Sequence, residues 1–148
     1  MVSVQSTPID VNAAYSSLTE NTDADGAAVF FVGKVRDNNV DATVYQLTLE
    51  HYPGMTERVI EEIISAARAR WSLNRISVIH RVGPIQVGEE IVFVGVTSTH
   101  RHNAFNAAEF IMDKLKTQAP FWKKERSEQG EKWIEARESD TLAADKWS

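Results

Sequence analysis

The sequence predicts an α+β fold: a single domain over residues 1–148, with a mixed, largely antiparallel sheet packed by two main helices and followed by a C-terminal hairpin. Three observations predict it. Strand-like segments adjoin one another in the chain as well as adjoining helices, which disfavours a doubly wound parallel sheet. Two segments, Thr56 to Trp71 and His100 to Thr117, carry apolar residues at helical spacing. The length of 148 residues, 43% of them hydrophobic, suits one core.

The elements follow in order. A short helix is predicted from Asp10 to about Leu18 with Asp10 as N-cap, and the polar run Asn21 to Gly26 is a turn. Ala27 to Val35 (AAVFFVGKV) is β-branched and aromatic, so it reads as a strand that breaks at Gly33 or just after. Val44 to Tyr52 is a second strand. Pro53-Gly54 punctuates, and Val59, Ile60, Ile63, Ile64 and Ala67 then form one helix face. Arg75 to Val82 and Ile91 to Ser98 are strands joined by a loop containing Gly83-Pro84 and Gly88. His100 to Thr117 is a helix with Phe105, Ala108, Phe110, Ile111, Met112 and Leu115 on its buried side and Thr99 or Ser98 as N-cap; Pro120 stops it. Phe121 to Arg126 and Lys132 to Ala136 flank a Ser-Glu-Gln-Gly turn as a hairpin. About eight N-terminal and about ten C-terminal residues are expected to be loosely held.

Composition narrows the function. There is no cysteine, so disulfides, Cys-based zinc sites and thiol nucleophiles are excluded. The N-terminus lacks a basic start followed by an apolar run, and no stretch approaches the ~18 apolar residues of a membrane span, so no membrane association and a cytoplasmic location are expected. A net charge of −5 argues against nucleic-acid binding. The charge is unevenly spread: the first 33 residues hold four acids and no Lys or Arg, whereas His100 to Arg126 holds six Lys/Arg against three Asp/Glu. A local positive region on an acidic chain points to a small anion held in a pocket.

Arg36 follows the strand Ala27 to Val35 where the chain turns through Asp37-Asn38-Asn39. Its guanidinium suits a phosphate clamp, and the same position suits a solvated arginine. His100-Arg101 follows the most apolar strand and opens a helix, where free N–H groups and the dipole favour an anion; a polar helix start fits equally. His100 and His102, with no carboxylate or cysteine nearby in sequence, make a weak metal pattern, and His51 and His80 read as structural histidines in strands. Lys116 shares a helix face with Met112, four residues before it. Lys123 and Lys124 in a strand point to opposite faces, so only one of them faces the pocket of Lys116, and Glu125 shares the face of Lys123. Two close ammonium groups disfavour each other's charge, which would make one lysine a proton donor or nucleophile near neutral pH. No P-loop, GxGxxG, GxSxG or HExxH pattern occurs.

Together the stretches Phe31-Val-Gly-Lys-Val-Arg36, Leu49-Glu-His-Tyr-Pro-Gly-Met55, His80-Arg-Val-Gly83, Val94-Gly-Val-Thr-Ser-Thr-His-Arg101 with Ala104-Phe105, and Phe110-Ile-Met-Asp-Lys-Leu-Lys116 leading to Ala119-Pro-Phe-Trp-Lys-Lys-Glu125 resemble the large, catalytic subunit of molybdopterin synthase. They run in that family's order over about Phe30 to Arg137. The resemblance implies a sulfurtransferase that converts cyclic pyranopterin monophosphate to molybdopterin, with sulfur delivered as a thiocarboxylate on the C-terminal Gly-Gly of a small ubiquitin-like partner. It implies no cofactor and no metal, and a homodimer that binds one partner per chain to give a heterotetramer. It implies catalytic Lys116 and Lys123; substrate contacts from Lys34, Val35, Arg36, His100, Arg101, Lys124 and Glu125 besides; a wall of Phe31 and Met112; and Arg137 reaching across from the dimer mate. Two other classes fit the same residues: a binding protein for a phosphorylated metabolite, and a non-catalytic scaffold.

Overall fold

A computed structural model describes residues 1–37, 44–134 and 138–147. In chain order the elements are β1 (Val2–Gln5), α1 (Val11–Thr19), β2 (Ala27–Lys34), β3 (Val44–His51), α2 (Met55–Arg70), β4 (Ile76–Arg81), β5 (Gly83–Gln86), β6 (Glu90–Ser98), α3 (Arg101–Gln118), β7 (Phe121–Ser127), β8 (Gly130–Ile134) and α4 (Glu138–Asp145). The α+β class and the mostly antiparallel pairing agree with the sequence. The strands divide, however, between two four-stranded sheets, ordered β1-β4-β6-β2 and β5-β3-β7-β8, where one sheet was expected.

Local chemistry accounts for the element boundaries. The Asp10 carboxylate accepts a hydrogen bond from the Ala13 amide at 3.0 Å and caps α1. Helix α2 opens where the Tyr52 amide donates to Thr56 Oγ1 at 3.1 Å and the Gly54 amide to Glu57 Oε2 at 3.3 Å. Gly54 has φ of +82°, a conformation that a side chain would strain. Strand β2 pairs antiparallel with β6 from Ala27↔Ser98 to Lys34↔Glu90, and its register shifts between Gly33 and Lys34, at the predicted break.

The first sheet is covered on both faces. Val92, Val94 and Val96 join Ile60, Ile63, Ile111 and Leu115 of α2 and α3 in the main core, while Phe93 and Ile79 point the other way with Ala14 of α1. Burying each such side chain contributes about 1.5–3 kcal/mol. The second sheet is pinned by Leu49, Ile85, Val82 and Val35, and Phe121 packs against both this cluster and the main core. Phe121 therefore marks the seam between the sheets.

Several expectations are corrected. The first residues are a strand, β1, parallel to β4 in the register Val2↔Val78 to Gln5↔Arg81. The loop after β4 contains β5, which pairs with β3 at the edge of the second sheet, where Pro84 costs no ladder bond that the sheet needs. The tail is anchored: Trp147 packs edge-on against Trp71 and Phe110, each 5.6 Å between centroids, and its Nε1 donates to Asp113 Oδ2 at 2.7 Å. Phe105 is 60% exposed, because Ala104, Ala107, Ala108, Ile111 and Leu115 define the buried stripe of α3 and Phe105 lies off it. The N-cap of α3 is His100, with no side-chain cap, while Ser98 Oγ accepts from the His100 amide at 3.4 Å. No helix among the described residues is long and apolar enough to cross a membrane.

Candidate active site

Strand pairing assembles the site from the centre outward. Gly33, Val92 and His80 form one row across the first sheet. His80 is 9% exposed, its ring stacked on Phe121 at 4.0 Å and 23°, with Nδ1 3.0 Å from the Arg81 carbonyl oxygen. Phe121 faces His51 across β7 and β3, and Lys123 faces Leu49 and Glu125 faces Leu47 in the same register. Since alternate strand residues share a face, Phe121, Lys123 and Glu125 point inward with the buried Leu49, as the alternation predicted.

Electrostatics shows what this brings together. The His80 pKa is lowered to about 4, chiefly by burial; the Arg81 carbonyl bond raises it, and the nearby charges of Lys123, Lys116 and His51 add to the lowering. Lys116 from α3, Lys123 from β7 and His51 from β3 thus all lie within electrostatic reach of one buried imidazole at the seam of the sheets. The sequence had read both histidines as merely structural. The only signal that pointed to His80 was its place in the family-like stretch His80-Arg-Val-Gly83.

The shift has a measurable consequence. A histidine at about pH 4 in the folded chain, against 6.5 unfolded, binds fewer protons than the unfolded state between those values. Its stabilising contribution is complete above about pH 6.5 and is lost as pH falls towards 4. The expected loss is about 3 kcal/mol. Urea unfolding between pH 7 and pH 4 should show this slope, and His80→Phe should flatten it; equal slopes in the two proteins would remove His80 as the cause.

The remaining site residues divide between the two ends of the first sheet. Lys34 and Arg36 are exposed where β2 leaves the sheet, beside the row that runs from Gly33 through Val92 to His80. Gly33 admits the Phe31 ring here, since a Cβ at Gly33 would stand 2.7 Å from Val92 Cγ1 and 3.2 Å from Phe31 Cε1. Phe31 is 44% exposed, and Met112 is half-buried against the main core.

His100 and Arg101 lie at the opposite end, past the Ala27↔Ser98 pair. Seven residue steps of strand separate the two ends, about 24 Å, and α3 returns over them so that Lys116 sits about 22 Å along the helix axis from Arg101. One chain therefore does not bring His100 and Arg101 to the lysines. Val35 and Lys124, both expected at the substrate, have partners within the chain. Val35 is a core residue whose N–H donates to the Glu89 carbonyl at 3.0 Å and whose carbonyl accepts from Gly88 at 2.7 Å, so its backbone is tied to the turn before β6. Lys124 points to the outer face of its sheet, pairs with Glu131 at 3.2 Å and lies 5.2 Å from the Trp133 ring centroid. Arg137 lies outside the described residues, as do Asn38 and Asn39 of the turn after Arg36. Among the described residues no group of three or more His, Asp or Glu is placed to hold a metal ion.

This arrangement sits in a chain with close relatives. The family model described as MoaE protein matches residues 4–118. The molybdopterin synthase catalytic subunit of Yersinia pestis is 66% identical over 125 residues, covering 84% of this chain and 83% of that protein. That of Haemophilus influenzae is 58% identical over 146 residues, covering 99% and 97%. A solved structure, the molybdopterin biosynthesis MoaE protein from Burkholderia ambifaria, superposes with a TM-score of 0.85 at 41% identity over 99% of this chain and 97% of that one. With the fold, the full-length coverage and the family match in agreement, the chain belongs to the MoaE family.

Proposed function

We propose that this chain is the catalytic subunit of a molybdopterin synthase, transferring sulfur from the C-terminal thiocarboxylate of a small ubiquitin-like carrier to cyclic pyranopterin monophosphate. The observation that carries the reading is that Lys123, inward-facing on β7, and Lys116 of α3 both lie within electrostatic reach of the buried His80 at the seam of the sheets, in a chain of this family. The lysines neutralise the incoming thiocarboxylate. A carbon–sulfur bond to the pterin side chain forms as the carbon–oxygen bond at the same carbon breaks, its oxygen leaving protonated; water then adds to the carrier's carbonyl, the acyl–sulfur bond breaks, and the carrier leaves as a carboxylate. The carbonyl oxygen carries negative charge during that addition, and ammonium groups already in place stabilise it without reorganisation. Two such transfers build the dithiolene. Cysteine is not needed, because the carrier brings the sulfur. We assign the reaction to the cytoplasm, where a phosphorylated precursor and a hydrolysable thiocarboxylate stay with the enzymes that make them; cell fractionation tests this.

The separation of the two cationic ends supports a site completed by a second copy. Arg101, Phe105, Met112 and Lys116 are spaced four, seven and four residues apart, which places them along one flank of α3 with a cation at each end and exposed or half-buried apolar side chains between. Strand β2 beside it is an edge of its sheet and exposes Phe30 and Phe31, each 44%. A two-fold axis at the middle of this edge would set Arg101 of one chain against Lys116 and Arg36 of the other. Light scattering of the isolated protein at micromolar concentration should give a dimer; a stable monomer would overturn this arrangement.

The test of function is reconstitution with a thiocarboxylated carrier and the pterin precursor. Molybdopterin should form while the carrier returns as carboxylate, read by mass. Precursor binding without turnover would replace the enzyme by a binding protein.

A further inference from the structure

We infer that the Arg81–Glu89 ion pair is a positioning device for Arg36: it anchors the turn that holds Val35 on both sides, and so fixes the point from which the Arg36 guanidinium reaches the precursor's phosphate. The inference rests on the sulfur-transfer reading above, with Arg36 as a ligand of that phosphate. Direct contacts connect Arg81 to Val35. Arg81 is buried on β4, and its Nη1 donates to Glu89 Oε2 at 3.1 Å. The other carboxylate oxygen, Oε1, accepts from the Gln86 amide at 2.8 Å. The backbone closes the same turn: the Glu89 amide donates to the Gln86 carbonyl at 3.1 Å, and Gly88 between them has φ of +92°, a conformation that suits glycine. From this turn the Glu89 carbonyl accepts from the Val35 amide at 3.0 Å, and the Gly88 amide donates to the Val35 carbonyl at 2.7 Å. Val35 is thus held through both backbone groups, while its side chain is buried with Leu49, Val82 and Ile85. Arg36, the next residue, is exposed.

Closing the turn does not require the ion pair, since the backbone bonds and Gly88 already do so. Burying a guanidinium costs desolvation that its partner roughly offsets, so such a pair adds little stability over apolar side chains of similar volume. Here the offset is incomplete, because Arg81 Nε is buried without a hydrogen-bond partner. What the pair adds is direction. Strand β4 lies inside the first sheet, between β1 and β6, whereas the turn links β5 of the second sheet to β6 of the first. A charged contact from β4 therefore ties the turn, and the end of β2 bonded to it, to an interior strand. The Gln86 amide and then the Arg81 guanidinium hold the Glu89 carboxyl below the usual carboxylate range, so the anchor is charged at neutral pH.

The test is a double-mutant cycle of Glu89→Ala and Arg36→Ala, with precursor affinity titrated on each protein and turnover measured in the complete complex with thiocarboxylated carrier. Glu89→Ala should raise the precursor Kd about five- to ten-fold, with carrier affinity and kcat at saturating precursor unchanged. On top of Arg36→Ala it should add less than about two-fold, because the anchor acts through Arg36. Arg81→Met, which removes the anchor from the other side, should reproduce the loss, and Arg81→Lys, which keeps a cationic donor, should recover most of it. Amide hydrogen exchange on the free protein gives a readout without ligand: in Glu89→Ala the Val35 and Gly88 amides should exchange faster, while Val94 and Val96 in the middle of β6 should not change. Equal losses with and without Arg36, an unmoved Val35 amide, faster exchange throughout β6, or normal precursor binding in Arg36→Ala would each overturn the inference. A wild-type complex that binds precursor without turnover, while the non-additive loss persists, would sink the sulfur-transfer reading and leave the positioning role standing.

Discussion

Alanine at Lys116 or Lys123 is expected to lower sulfur transfer by about 100-fold or more while leaving the fold intact. Both lysines act electrostatically on His80, and the exposed Lys116 ammonium makes no ion pair among the described residues, so its removal leaves no carboxylate orphaned. Thermal unfolding should therefore change little. Lys124→Ala is the internal control. Its ammonium is on the outer face, where an exposed pair with Glu131 is worth no more than about 1 kcal/mol, so activity should stay within a few-fold of wild type. Single-turnover transfer from a thiocarboxylated carrier, with circular dichroism on each variant, separates the three. A greater sensitivity at Lys124 than at Lys123 would reverse the facing assigned from the Lys123↔Leu49 and Lys124↔Thr48 pairs.

Arg36→Ala and Arg101→Ala are expected to weaken binding of the phosphorylated precursor by roughly ten- to a hundred-fold each. Charge-assisted hydrogen bonds from guanidinium to phosphate contribute about 1.5–3 kcal/mol when sheltered. Affinity should fall as salt rises, and carrier docking should be affected less, since that is assigned to the lysines. Titrating precursor and carrier separately at low and high salt tests the division; arginine variants that bind the precursor normally but lose the carrier would move both residues to the protein interface. The two-fold arrangement adds a sharper outcome. At precursor concentrations too low to saturate the Arg101→Ala chain, Lys116→Ala and Arg101→Ala chains, each impaired alone, should together recover about a quarter of wild-type activity, because half of randomly mixed dimers carry one intact site of two. No recovery after verified exchange of chains would place both residues in the same site of one chain.

Elements whose signals are local were legible in advance. Asp10 caps α1, Gly33 marks the break in β2, Pro53-Gly54 precedes α2, and Pro120 separates α3 from the hairpin. The same holds for the opposed faces of Lys123 and Lys124, which needs only strand alternation. Less local features were missed or misplaced. Strand β1 is held by pairing with β4, more than seventy residues away in the register Val2↔Val78; α4 and Trp147 are held by Trp71, Phe110 and Asp113. Nothing in either terminal segment announces its partner. Phe105 was assigned to the core because it is large and apolar, whereas helical phase turns it away from the small alanines that touch the sheet.

By itself the sequence determined the α+β class, the order and bounds of most elements, the absence of cysteine and the cations that are candidates for the site. Each of these depends on residue type or on spacing of a few residues. Only the tertiary structure decided that the strands divide into two sheets, that Phe121 stacks on a buried His80 at their seam, and that seven residue steps of β2, about 24 Å, separate the end that leads to Arg36 from the end at His100 and Arg101. Those outcomes depend on which strands pair and on which way α3 returns across them. Such pairings are set by the burial of whole faces, which no local pattern records.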